Sequence, residues 1–264
     1  MGQPTQTSAL ERVLRRDRAV ALAALLGVSL LAWTYLAAGI GMDMKSMSMP
    51  DMAMPLDWTP ARFGLMFVMW AIMMVAMMLP SAAPMVLLFA TIERRRRAAS
   101  PFRATASFAS AYVAVWMSFS VAATVLQWQL DRLALLTPMI ATANSVIASI
   151  ALIAAGGYQF TPLKQACLRG CRSPIEFVCR YWNRGPFGIG LLHGLYCLGC
   201  CWMLMLVLFV GGVANLVCVA LIASVVLVEK AVPQGKRVSY AVGLVLIGGG
   251  AWLLLDRSLT IFLL

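Results

Sequence analysis

The sequence is poor in charge. Asp, Glu, Lys and Arg make up 12% of its 264 residues, against about a quarter in an average soluble domain, while 62% of residues are hydrophobic. A water-soluble globule of this length has no means of hiding so much apolar surface, and a disordered chain needs the opposite balance. Histidine occurs once, and ten acidic residues face 21 Lys and Arg. No phosphate loop, nucleotide fingerprint or nucleophile–base pair with a third member is present, so an ATP-driven pump gains no support and no catalytic constellation is recognised. Internal repeats are absent, which leaves the inverted-repeat logic of many transporters without a basis. The apolar runs are continuous rather than alternating, which argues against a membrane barrel. What is left is an all-α fold, a polytopic bundle of transmembrane helices.

Apolar runs of about 20 residues each fill a span. They fall at Ala19–Met42, Phe63–Ile92 (broken by Pro80 and Pro84), roughly Ala104–Gln127, roughly Met139–Phe160, and Tyr240–Leu255. Phe187–Val228 is too long for one span, and Gly211-Gly212 followed by Asn215 is the expected turn between two. The total is about seven spans. The first run is too long for a signal-peptide core and is read as a retained helix. The net charge of +11 reads as topology rather than as nucleic-acid binding. With the N-terminus inside, 17 of the 21 Lys and Arg fall on inner segments, and only Lys45, Arg62, Arg132 and Arg257 fall outside. The expectation is therefore N-terminus in, C-terminus out, in a bacterial inner membrane. Residues 1–41 form the basic N-terminus and first helix, 42–60 a Met-rich outer loop, and 61–264 a six-helix membrane domain with a cytoplasmic Cys loop at 161–185.

Sulfur is where the sequence is rich, with 18 Met and seven Cys. Within the fifth apolar run, His193, Cys197, Cys200 and Cys201 stand at i, i+4, i+7 and i+8, one stripe of a helix. The stripe spans about 12 Å, so a single helix cannot wrap all four around one ion. Either two or three of these ligands share a site that another helix completes, or they serve two sites. Gly194 and Gly199 would let a neighbouring helix come close. Taken singly, membrane cysteines are more often small apolar packing, and Cys218 is read that way. For the histidine alone, an interhelical hydrogen bond is the competing reading.

The second run carries Met66, Met69, Met73 and Met77 on one face, beside Met74 and Met78, and ends at Pro80-Ser81. Methionine is ordinarily flexible filling, but a six-Met run ending at a proline is less easily read so. Counted from the inner ends of the two helices, Met77 and Met78 reach about the same depth as Cys200 and Cys201, roughly 21 Å in. Pro80 frees a carbonyl in the preceding turn, and Ser81 is placed to satisfy it or to line a cavity. In the outer loop, Met42, Met44, Met47, Met49, Met52 and Met54 put six thioethers within 13 residues. Thioethers select soft ions, above all Cu(I), and Asp43, Asp51 and Asp57 add oxygen donors that tolerate Cu(II). Docking of the loop on the membrane surface is the competing reading.

The inner loop holds Cys167 and Cys171, four apart, among Lys164, Arg169 and Arg172, which favour thiolate. Such a loop would receive or release a soft ion, sense thiol state, or lie against anionic lipid. Glu229 beside Lys230 reads most simply as a local ion pair or a snorkelling helix end.

Three segments, W-A-I-M-M-V-A-M-M-L-P-S from Trp70, Q-F-T-P-L-K-Q-A-C-L-R-G-C-R-S-P from Gln159, and H-G-L-Y-C-L-G-C-C-W through F-V-G-G-V-A-N-L to V-E-K from His193 to Lys230, together resemble the bacterial family called domain of unknown function 2182. That family is described as a metal-binding integral membrane protein, and the resemblance covers about Asp57 to Ala231. It implies Met77, Met78, Cys167, Cys171, His193, Cys197, Cys200, Cys201 and Glu229 as candidate metal positions, to which Met73 is added from the methionine face. The expected function is handling of a soft transition metal, with copper first and other transition metals open, for transport or delivery. The expected partners are the bilayer, the ion, and a metallochaperone or membrane complex. The alternatives are a membrane thiol or metal oxidoreductase and an assembly factor for a membrane complex.

Overall fold

The computed structural model describes residues 6–38, 58–96, 101–136, 145–213 and 215–262, with side chains described from Leu22 to Asp256 within those ranges. The Met-rich loop, with Met42, Met44, Met47, Met49, Met52 and Met54, lies outside them. Every described element is helical: α1 (Gln6–Ala37), α2 (Pro60–Arg95), α3 (Pro101–Arg132), α4 (Ser145–Tyr158), α5 (Pro162–Arg172), α6 (Pro174–Tyr181), α7 (Gly185–Leu206), α8 (Leu208–Gly211), α9 (Leu216–Ala231) and α10 (Gly235–Phe262), with a 3-10 turn at Trp182–Arg184. By length and composition, four segments among the described residues are able to cross a bilayer: Pro60–Arg95, Pro101–Arg132, Pro174–Gly211 and Gly235–Asp256. A fifth is added if α4 and α5, bent by 62° at their junction, make one broken span. The seven-span expectation is thus met only as four or five. The described apolar part of α1 (Leu22–Ala37) and α9, with 16 residues, fall short of a full span.

Helix ends follow local chemistry. Thr59 accepts a hydrogen bond from the Arg62 N–H ahead of Pro60, and Asn215 accepts from the N–H groups of Val217 and Cys218, so the expected turn before α9 is a capped one. Gly212 enters it at φ 86°, backbone that glycine adopts readily. The segment expected as a loop at 161–185 is instead α5, α6 and the 3-10 turn. Thr161 caps α5 at the Lys164 N–H and Pro162 takes the first helical position, a start signal that outweighs the polar composition. The two prolines of the second run do not break α2, which continues through both. The Ala76 carbonyl, released because Pro80 has no N–H, accepts from Ser29 of α1 at 3.3 Å, whereas Ser81 bonds back to the Met78 carbonyl at 2.8 Å.

In the packing order, α1 lies on α2, α2 on α3, α3 on α7, α5 on α7, and α10 on α4. The α3–α7 approach is backbone-close, because a Cβ at Gly190 would collide with the Phe108 carbonyl and one at Gly194 would stand 2.8 Å from the Val115 side chain. On the opposite side of α7, a Cβ at Gly199 would stand 2.7 Å from the Cys167 sulfur. These are the close contacts expected at Gly194 and Gly199.

A buried ion pair ties α5 to α9. Lys164, fully buried, bonds both carboxylate oxygens of Glu229, at 3.1 and 2.9 Å, and also contacts the Gln159 side-chain oxygen. The expected local pair between Glu229 and Lys230 is not formed. Adjacent residues on a helix point about 100° apart, and α5 packs against the Glu229 side of α9.

Two measurements test this packing. Gly190→Ala lowers stability in detergent by about 1–3 kcal/mol through overpacking against α3, whereas Gly157→Ala, whose Cβ meets nothing within 4 Å, leaves it unchanged. Lys164→Met strands the Glu229 carboxylate and costs about 3–5 kcal/mol, and Lys164→Met combined with Glu229→Leu restores most of the loss.

Candidate metal centre

The stripe on α7 is buried. Cys197, Cys200 and Cys201 are each 1% exposed and His193 is 3% exposed. Four neighbouring helices bring side chains to it. From α2 comes Met78, whose sulfur lies 3.9 Å from Cys201 Sγ, so the thioether and thiol that were expected at equal depth do meet. From α3 comes Tyr112, whose hydroxyl lies 3.1 Å from Cys197 Sγ and donates to the Met78 carbonyl at 3.2 Å. From α5 comes Cys171, within interaction range of the Cys197 and Cys200 thiols. From α9 comes Lys230, whose ammonium donates to Cys197 Sγ at 2.9 Å and to Ser81 Oγ at 3.0 Å.

Within the stripe, the Cys200 and Cys201 thiols turn back to the Cys197 carbonyl at 3.1 and 2.9 Å. Cys197 is thereby set apart: its sulfur alone receives the ammonium and also lies against the Tyr112 hydroxyl, while its neighbours spend their hydrogens on the backbone. A cavity of about 10 Å³, the room of a single water, opens beside the cluster between Met74, Met78, Tyr112 and Trp116.

His193 lies one turn before Cys197 on α7. Its ring stacks on Tyr112 and Phe108, with centroids 5.5 and 6.0 Å away, and meets the edge of Phe177 at 5.6 Å. Its Nδ1 is buried and has no hydrogen-bond partner. The interhelical hydrogen bond that competes with the ligand reading is thus missing at this nitrogen.

The remaining candidates divide. Met73 and Met77 are buried in the core, and Met78 makes the contact to the Cys201 thiol. Met66, at the far end of the same helix, accepts from Gln127 Nε2 at 3.3 Å, and Gln127 in turn accepts from Trp70 at 2.7 Å. Cys167 lies against Gly199 on α5 rather than in a free loop, and Cys179 is exposed on α6. Glu229 is taken up by Lys164 and stands outside the sulfur cluster. Among the described residues, no group of three or more His, Cys, Asp or Glu side chains is arranged to hold a metal ion. The convergence is one of thiols with a thioether and a buried imidazole.

Two partners escaped the sequence reading. The sequence marks Lys230 only as a helix end, although its place in the V-E-K close of the motif is a signal. Tyr112 lies in a helix that carries no cysteine or histidine, and only the α3–α7 contact reveals it.

No curated protein and no solved structure matches the chain. A family model described as PpoB2, copper chaperone, matches residues 67–253, which include every element of the sulfur cluster. It bears this name and not that of the domain-of-unknown-function family that the motifs resemble; a role in metal handling is the common ground. The chain belongs to the PpoB2 copper chaperone family.

Proposed function

We propose that this protein is a membrane-embedded copper-handling protein that holds Cu(I) among Cys197, Cys200, Cys201 and Met78, with Cys171 and His193 at the edge of the site, and passes it to an acceptor. The observation that carries this reading is the meeting of the Met78 thioether with the buried Cys201 thiol of α7, from helices far apart in sequence. Thiolate and thioether donors select Cu(I). Cu(I) also needs fewer ligands than the four that structural zinc takes. The unpartnered Nδ1 of His193 supplies a further soft-ion donor one turn away.

The same reading takes the helices as spanning a bacterial inner membrane, seven times, with the N-terminus inside. It rests there on charge placement, since this topology puts 17 of the 21 basic residues on the inner side. The Met-rich loop would collect the ion outside. Cys167 and Cys171 would lead it away through α5.

One contact favours a second reading, a membrane thiol oxidoreductase. Adjacent Cys200 and Cys201 are poorly placed for a mutual disulfide, but Cys171 of α5 offers a thiol from another helix.

Copper analysis of detergent-purified protein decides between them. The wild type retains copper, Cys200→Ser with Cys201→Ser loses at least nine-tenths of it, and Cys179→Ser retains all of it. Retention of copper by the double variant overturns the reading. A metal-free wild type whose Cys171 is trapped as a disulfide during turnover favours the oxidoreductase.

A further inference from the structure

Resting on that copper-handling reading, we propose that Lys230 makes the sulfur cluster selective for monovalent soft cations over divalent ones. Among the described residues no carboxylate is hydrogen-bonded to the cluster, and its fixed positive charge is the Lys230 ammonium, 2.9 Å from the Cys197 sulfur. The charge is anchored from two sides. Ser81 of α2 accepts from the ammonium at 3.0 Å. The Lys164–Glu229 pair, one residue away, pins the end of α9 against α5. Glu229 is engaged by Lys164 and forms no ion pair with Lys230.

A metal bound to Cys197 therefore sits close to a charge that cannot readily leave. Coulomb repulsion grows in proportion to the ion's charge, so a divalent ion meets about twice the penalty of a monovalent one, in an apolar interior that screens it weakly. Sulfur alone does not separate Cu(I) from Zn(II), since thiolates bind both. Lys230 adds the discrimination that the donor atoms lack. Its effect on the thiols themselves is common to both ions and drops out of the ratio of their affinities.

The test compares Ag(I), a redox-inert monovalent ion, with Zn(II) on detergent-purified full-length protein at one pH. Lys230→Met is expected to improve Zn(II) binding relative to Ag(I) by about tenfold or more, and Lys230→Arg to keep the wild-type ratio. Lys230→Gln, which preserves a hydrogen bond to Ser81, is measured in parallel and is expected to follow Lys230→Met, so that one misfolded variant does not decide the matter. A ratio within threefold of wild type in the neutral variants overturns the proposal, as does Zn(II) binding that stays undetectable in both while Ag(I) still binds. A wild type that binds neither Ag(I) nor Cu(I) contradicts instead the copper-handling reading on which this one rests.

Discussion

The structure depends on α7 having no side chain where its neighbours must pass. Gly190 and Gly194 admit α3 at backbone distance, and Gly199 admits α5 with the Cys167 sulfur against it. In an apolar bundle, helix association relies on such close packing, because lipid and side chain are equally hydrophobic. The close approach also does chemical work. With α3 at this distance, the Tyr112 hydroxyl reaches Cys197, and with α5 at this distance, Cys171 faces the α7 thiols. The helix that carries the sulfur stripe is the helix whose glycines draw in the rest of the site.

Burial sets the terms for the polar groups gathered there. A charge away from water must be paired or held by hydrogen bonds. Glu229 and Lys230 are adjacent in sequence yet are satisfied in opposite directions, one by Lys164 of α5 and the other by Ser81 and Cys197. The last turn of α9 thus links a structural ion pair to the sulfur cluster. His193 is satisfied in neither way: its Nδ1, like Trp116 Nε1 and Gln159 Nε2, has no hydrogen-bond partner, and it lies inside an aromatic enclosure. An unpaired buried nitrogen is costly to a fold and useful to a binding site.

Much of this arrangement was legible in the sequence. The one-face spacing of His193, Cys197, Cys200 and Cys201 follows from helical periodicity, and the depth match between Met78 and Cys201 follows from rise per residue and the positions of the helix ends. The Gly211–Asn215 turn was marked by its own residues. Other features were decided by tertiary contact. A polar stretch such as 161–185 looks like a loop until Thr161 and Pro162 are recognised as a helix start and the fold supplies α7 for α5 to lie on. Which way Glu229 and Lys230 point depends on which helices flank α9. Among the described residues four or five segments are able to cross a bilayer where apolar composition gives seven, and composition alone does not reveal that α9 is a helix of only 16 residues.

The central claim is that sulfur atoms from α2 and α7 bind one ion together. X-ray absorption at the copper edge, on protein loaded with one equivalent of Cu(I), tests it most directly. A first shell dominated by sulfur is predicted, losing sulfur scattering in Cys201→Ser and again in Met78→Leu. A shell of nitrogen and oxygen, or one that neither substitution alters, contradicts it.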